Sequence, residues 1–285
     1  MIVFLGSGNL TSELKYYAQL GGIETAVISS SNPSSDKYKV SRNLNGLCKI
    51  SLPDNCTLCI ITWTMHPKGR REMLSRGIDS VVKLAEFIKT HQKVQFLYFS
   101  SSVSTMDLAL ESEYAKFKLI SESLLERMCF NNLALLRPGL IYGGKGCPLK
   151  LLTRYWKMGI YIIPGSLDAE MAVTSISCIK KVVFAYYNRV YQRYGLNCHG
   201  TFDSFEADSF KLRTLYALIP RSKHLNMRIR LDNKSWLYRI LLVSGLFRVD
   251  LSLASINRFT NPTNSISGYI DGIVEYVIKI VRENA

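Results

Sequence analysis

The chain has 285 residues, enough for one large domain or for one domain with a small appendage. A hydrophobic fraction of 47% with 20% charged residues excludes a disordered or fibrous chain, and no run of about eighteen apolar residues is present to span a membrane as a helix. The net charge of +14 favours an anionic partner, either a phosphorylated small molecule, an anionic membrane surface or nucleic acid; with no Lys/Arg-rich block, zinc-finger spacing or RNP-like aromatic motif, nucleic acid is set aside.

The opening stretch "MIVFLGSGNL" lacks the basic segment and small-residue cleavage site of a signal peptide and reads as a buried first strand. Gly6, Gly8 and Thr11 follow as a GxGxxT turn, and an amphipathic helix runs from there to Gly21-Gly22. Glycines after a first strand let the backbone approach a pyrophosphate, and the helix N-terminus favours its charge. "ETAVISS" is a second strand. It ends in Ser29, Ser30 and Ser31, with Lys37, Lys39 and Arg42 beyond. Small hydroxyls with nearby cations suit a ribose 2′-phosphate better than the carboxylate of an NAD site, so NADP is expected over NAD, with Ser29 and Ser30 touching the cofactor.

"TLCIITW" is the next strand, "GIDSVVKLAEFIKTH" a helix, "VQFLYFSSS" a strand ending in serines, "EYAKFKLISESLLERM" a helix and "LALLRPGLIYGG" a strand running into a glycine loop. Strands alternating with helices imply an α/β, Rossmann-like, doubly wound parallel sheet. The expected division is a dinucleotide-binding domain over 1–145 and a smaller C-terminal substrate lobe over 146–285, with about 170–200 returning to the main sheet. The seven cysteines are scattered and odd in number, as buried thiols of a reduced, cytoplasmic protein would be; Cys56 and Cys59 form a CxxC without a second pair at metal spacing, and no metal is expected.

Tyr114 and Lys118 are four apart and share a helix face. An ammonium near a phenol stabilises the phenolate and lowers its pKa from about 10. A phenol so tuned can protonate a carbonyl oxygen as hydride arrives at carbon. Ser102, third of the strand-end serines, offers a hydroxyl to hold that oxygen.

With "FLGSGNL", "YFSSSVS", "YAKFK" followed by "SE", and "LALLRPGLIYGG" in this order, the chain resembles the extended short-chain dehydrogenase/reductase superfamily of nucleotide-sugar epimerases, dehydratases and reductases. "YIIPGSLDAEMAVTSISCIKKVVFAYY" and "SINRFTNPTNSISGYIDGIVEYV" extend the resemblance over nearly the whole chain. It implies NADP or NAD as cofactor and a diphosphate-linked sugar as substrate. Ser102 would polarise the carbonyl, Tyr114 would be the acid/base and Lys118 would tune it and reach the nicotinamide ribose. Gly6, Gly8, Asn9 and Leu10 would line the phosphates, Thr62 and Thr64 would border the adenosine, and Pro138, Gly139 and Ile141 would pack near the nicotinamide. The chain departs from the pattern at Thr11, where a third glycine is usual, at Ser175, where an acid is usual, and in a short gap between Ser102 and Tyr114.

The favoured activity is reduction of a 4-keto-6-deoxy-sugar in surface polysaccharide biosynthesis. C4 epimerisation with retained NAD and a non-catalytic dinucleotide-binding protein are the alternatives. Arg154 and Lys157 are candidates for substrate phosphate. The basic, apolar stretch 224–253 is expected as a lobe helix, with a diphosphate-binding or lipid-facing role at Trp236 as alternatives, the latter suiting a polyprenyl-diphosphate sugar at the inner face of a membrane. The helices at 78–90 and 112–128 could pair two copies as a homodimer.

Overall fold

The computed structural model describes residues 1–63, 73–102, 113–129, 131–142, 160–164, 170–171, 173–192, 200–204, 210–211 and 227–231. In chain order the elements are β1 (Ile2–Leu5), α1 (Asn9–Leu20), β2 (Thr25–Ile28), β3 (Leu58–Ile61), α2 (Met73–Thr90), β4 (Gln95–Phe99), α3 (Glu113–Met128), β5 (Leu133–Pro138), β6 (Leu140–Tyr142), β7 (Ile160–Pro164), β8 (Glu170–Met171), β9 (Val173–Ser175), α4 (Ile176–Gln192), β10 (Gly200–Ser204), β11 (Phe210–Lys211) and β12 (Met227–Leu231). Six strands form one sheet in the order β10-β5-β4-β3-β1-β2, every neighbouring pair parallel.

The strands read as continuous apolar runs because both faces of the sheet are covered. Alternate residues of β1 go to opposite cores. Val3 and Leu5 join Val81, Phe87, Phe117 and Leu124 of α2 and α3. Ile2 and Phe4 join Leu14 and Ala18 of α1 and Ile179, Val183 and Tyr187 of α4. The sheet is therefore doubly wound, a Rossmann-like α/β architecture. Thr11, Leu14 and Ala18 put one buried stripe on α1. That helix stops where Gly22 turns left-handed at φ 71°, with the Ile23 N–H donating to Ala18 O and the Gly22 N–H to Gln19 O. Ile23 then packs into the second core.

The winding reverses between β1 and β3, so a crevice opens at the carboxyl ends of these strands. The connection from β2 to β3 holds two short 3₁₀ turns, Asp36–Tyr38 and Leu47–Lys49, and no α-helix. It still contributes to the first core through Leu44, Leu47, Ile50 and Leu52.

Two expectations are corrected. "LALLRPGLIYGG" is not one strand: β5 ends at Pro138, and after Gly139 the chain leaves the main sheet as β6 to pair with β9. Gly139 donates its N–H to Thr174 Oγ1 at 2.8 Å, which anchors the break. Within 224–253 the described part, Met227–Leu231, is a strand paired with β7 rather than a helix. "MRIRL" alternates with period two, a strand's pattern, and Trp236 lies outside the described residues. Among the described helices none is long and apolar enough to cross a membrane. The exposed described side chains of α2 and α3 are Asp79, Glu86, Lys89, Thr90, Glu126 and Arg127.

Candidate active site

At the end of β1, Gly6 adopts φ 122°, and a Cβ there would stand 2.8 Å from Thr62 Oγ1 and 3.2 Å from the Thr62 carbonyl carbon. Only glycine lets the ends of β1 and β3 approach so closely. Thr11 explains its own departure from the glycine pattern: its buried hydroxyl lies 2.5 Å from Thr62 Oγ1, which also donates to Leu5 O at 3.4 Å. A hydrogen bond between helix and strand thus does the tethering that close glycine packing would otherwise do.

Gly8 caps α1 with extended backbone and has nothing within 4 Å of where a Cβ would stand. No side chain caps the N-terminus, and the first turn holds no acidic residue. The leading N–H groups, at Asn9 and Leu10, therefore lack intrahelical acceptors, as the helix start of an anion site does. The Leu10 side chain packs against the second core, so its contribution there is backbone.

The β2 end reaches the same loop through Ser31, whose hydroxyl lies 2.8 Å from Ser7 Oγ. Ser29 is buried, accepts the Asn32 N–H at 2.9 Å, and exchanges backbone hydrogen bonds with Tyr38 and Val40. Its hydroxyl shapes the loop, and the hydroxyls facing the glycine turn are Ser7 and Ser31. Ser30 is half-buried beside them, and Lys37, Lys39 and Arg42 are exposed.

At β4 and α3 the second group assembles. Lys118 is buried, and its ammonium donates to Phe99 O at 3.0 Å and to the Tyr98 hydroxyl at 3.4 Å. The same Nζ lies 5.9 Å from the centroid of the Tyr114 ring, so the helical spacing does bring phenol and ammonium together. Ser100, Ser101 and Ser102 continue from Phe99. Ser102 is buried, and Ser100 is buried with no hydrogen-bond partner for its Oγ among the described residues. Burial pushes the Tyr98 phenol far above its usual range, and Glu122 nearby adds to this.

Arg137 is occupied. Its Nε donates to both oxygens of Glu122, at 3.1 and 3.0 Å, and its Nη2 to Oε2 at 2.6 Å. Pro138 is buried at the end of β5, and Ile141, opposite Thr174 in the β6–β9 pair, packs against the second core. Ser175 caps α4 by accepting the Cys178 N–H at 3.0 Å, which accounts for a serine at that position. Thr64, Arg154 and Lys157 lie outside the described residues. Sequence reasoning passed over Tyr98 and the Ser100 hydroxyl, although a phenol within the otherwise apolar "FLYF" was a signal that could have been read.

No protein-family model matches the chain, and no curated protein matches it in sequence. Solved structures do match in shape. A dTDP-4-dehydrorhamnose reductase from Yersinia enterocolitica superposes with a TM-score of 0.64 at 14% identity, over 82% of this chain and 85% of that one. A human epimerase family protein solved with NADPH gives 0.65 at 13% identity, over 92% and 91%. A UDP-N-acetylglucosamine 4-epimerase from Bacillus cereus gives 0.56 at 14% identity, over 90% and 95%. The fold is thus the Rossmann-like one these proteins share, as the sequence resemblance implies.

Proposed function

We propose that this chain is an NAD(P)-dependent oxidoreductase or epimerase of the extended short-chain dehydrogenase/reductase type, acting on a sugar joined to a diphosphate carrier. The observation that carries this reading is the buried Lys118 ammonium beside Tyr114, at the carboxyl edge of a sheet whose switch point bears an open glycine turn. The reductase and the 4-epimerase whose fold it shares support the substrate class. The human protein's NADPH supports the cofactor class.

A dinucleotide fits the residues present. The open space over Gly8 and the uncapped start of α1 suit its pyrophosphate. Ser7, Ser30 and Ser31, with Lys37 and Lys39 nearby, suit an adenosine ribose, and the absence of a carboxylate at the β2 end favours NADP. The orphaned Ser100 hydroxyl is a buried polar group of the kind a ligand satisfies. When bound, the dinucleotide supplies or takes up the hydride. Tyr114 gives its phenolic proton to the substrate carbonyl oxygen, or removes it in the reverse direction. Ser102 donates a hydrogen bond to that oxygen and fixes its position. Lys118 holds positive charge beside the phenol, favouring its ionised form, and offers an N–H to the nicotinamide ribose.

The finer reading is reduction of a nucleotide-linked 4-keto-6-deoxy-sugar in the cytoplasm, with Arg154 and Lys157 on the diphosphate and the chain beyond 146 contributing the sugar pocket. A polyprenyl diphosphate is the alternative carrier. The test is to supply NADPH or NADH with a dTDP-linked 4-keto-6-deoxyhexose and follow dinucleotide oxidation, after assaying the purified protein for bound cofactor. Consumption of NADPH supports reduction. Tightly held NAD with no net consumption supports 4-epimerisation. Failure to bind any dinucleotide overturns both in favour of a non-catalytic role.

A further inference from the structure

Among the described residues Lys118 is the one lysine with a buried side chain. An ammonium has three N–H donors and no acceptor, so burying it requires acceptors on the protein. One is the Phe99 carbonyl at the end of β4, which backbone geometry supplies whatever the side chain there. The other is a side chain, the Tyr98 hydroxyl, and the same Nζ sits 5.0 Å from the Tyr98 ring centroid. The remaining N–H is the one left for the Tyr114 side.

A phenol in the middle of a fully covered strand needs a reason. Phenylalanine would bury as well there without desolvating a hydroxyl. The hydroxyl faces α3, where it accepts the Lys118 N–H, while Ser121 on the same helix donates its own proton to Phe117 O at 2.6 Å. As an acceptor, the phenol turns a lone pair toward the ammonium, which a phenylalanine ring edge could not do.

We propose that Tyr98 is the positioning residue of the site: its hydroxyl clamps the Lys118 ammonium between β4 and α3 and thereby presents the third N–H toward Tyr114. The catalytic consequence rests on the oxidoreductase reading above; the clamp itself does not. Without the hydroxyl, one acceptor remains for a flexible four-carbon stem, and the ammonium loses its fixed direction.

The test uses the full chain with Tyr98→Phe, Lys118→Met and the double variant. In the first arm, native protein is pulsed with acetic anhydride and Lys118 acetylation is read by peptide mass spectrometry. Tyr98→Phe is expected to raise that rate about tenfold, the rates at other lysines being little changed. An unchanged Lys118 rate overturns the clamp. If Tyr98→Phe does not fold, Tyr98→Leu takes its place, with a similar rise expected and no rise overturning the proposal.

The second arm measures NADPH binding by calorimetry and turnover of the keto-sugar. Tyr98→Phe should lower kcat about tenfold with KM nearly constant, and the double variant should lose no more than Lys118→Met alone. Wild-type kcat in Tyr98→Phe, or additive losses, overturns the positioning role. If wild-type protein binds no dinucleotide while acetylation responds as expected, the oxidoreductase reading falls and the clamp stands. If wild-type protein turns over while acetylation does not respond, the reading stands and the clamp falls.

Discussion

The two ends of the candidate site are built by opposite means. Around Gly6, Gly8 and Thr62 the work is done by backbone and short hydroxyls: N–H groups at a helix start, a glycine that admits a neighbouring strand, and paired Thr11–Thr62 and Ser7–Ser31 contacts. Around Lys118 it is done by long side chains with buried polar ends, the Lys118–Tyr98 contact and the Arg137–Glu122 fork. The first end accepts a substitution where the new side chain brings its own hydrogen bond, as Thr11 does where a glycine is usual. A buried charge network does not, because removing one member strands its partner in the core.

That contrast sets the expected order of effects. Tyr114→Phe should reduce turnover about 10²–10⁴-fold while dinucleotide affinity and the unfolding midpoint hold, checked by steady-state kinetics and calorimetry. Full turnover in that variant would remove the chemical end of the site altogether. Glu122→Gln should cost about 3 kcal/mol in urea unfolding, since Arg137 loses its forked carboxylate and Glu122 is only 2% exposed. Gly6→Ala should cost about 1–3 kcal/mol and weaken dinucleotide binding, because φ 122° and the Thr62 contact both oppose a Cβ. Thr11→Val, losing only a hydroxyl whose partner keeps the Leu5 carbonyl, should cost about 1 kcal/mol. A loss at Thr11 matching that at Glu122 would show that the two ends do not differ as described.

Two thiols probe the core beneath the site. Burial pushes Cys56, just before β3 at the amino edge of the sheet, and Cys129, just after α3, up to about 12. A thiol raised in the folded state stabilises it below the ordinary value near 9.0, and that contribution is lost as pH climbs toward 12. Neither should react with iodoacetamide at about pH 8 in native protein. Both lie in the first core, so equal alkylation rates in mild urea would mean that this core opens as one unit, and unequal rates that it opens in parts.

How much of this was legible in advance follows the same division. The apolar runs "IVFL" and "LCII" declare covered strands, and the YxxxK spacing puts Tyr114 and Lys118 on one helix face, because both patterns are local. The break at Gly139 was hidden, since it depends on Thr174 arriving from far along the chain to accept an N–H. A strand-end hydroxyl such as Ser29 looks the same in sequence whether it faces a ligand or its own turn, and only the fold shows that it accepts the Asn32 N–H. Tyr98 was missed for a related reason: only the packing of α3 on β4 gives its hydroxyl a cation to accept from.

The wholly parallel main sheet has a consequence for how the chain reaches its native state. No two neighbouring strands in it are joined as a hairpin, so each ladder must close a long loop before any pairing rewards it. The span from β2 to β3 adds to that burden, because it lacks the helix that would shorten the search. Refolding from urea should accordingly be slow, with the β1–β3 register among the last contacts acquired, and the glycine turn competent to hold an anion only after that register is in place.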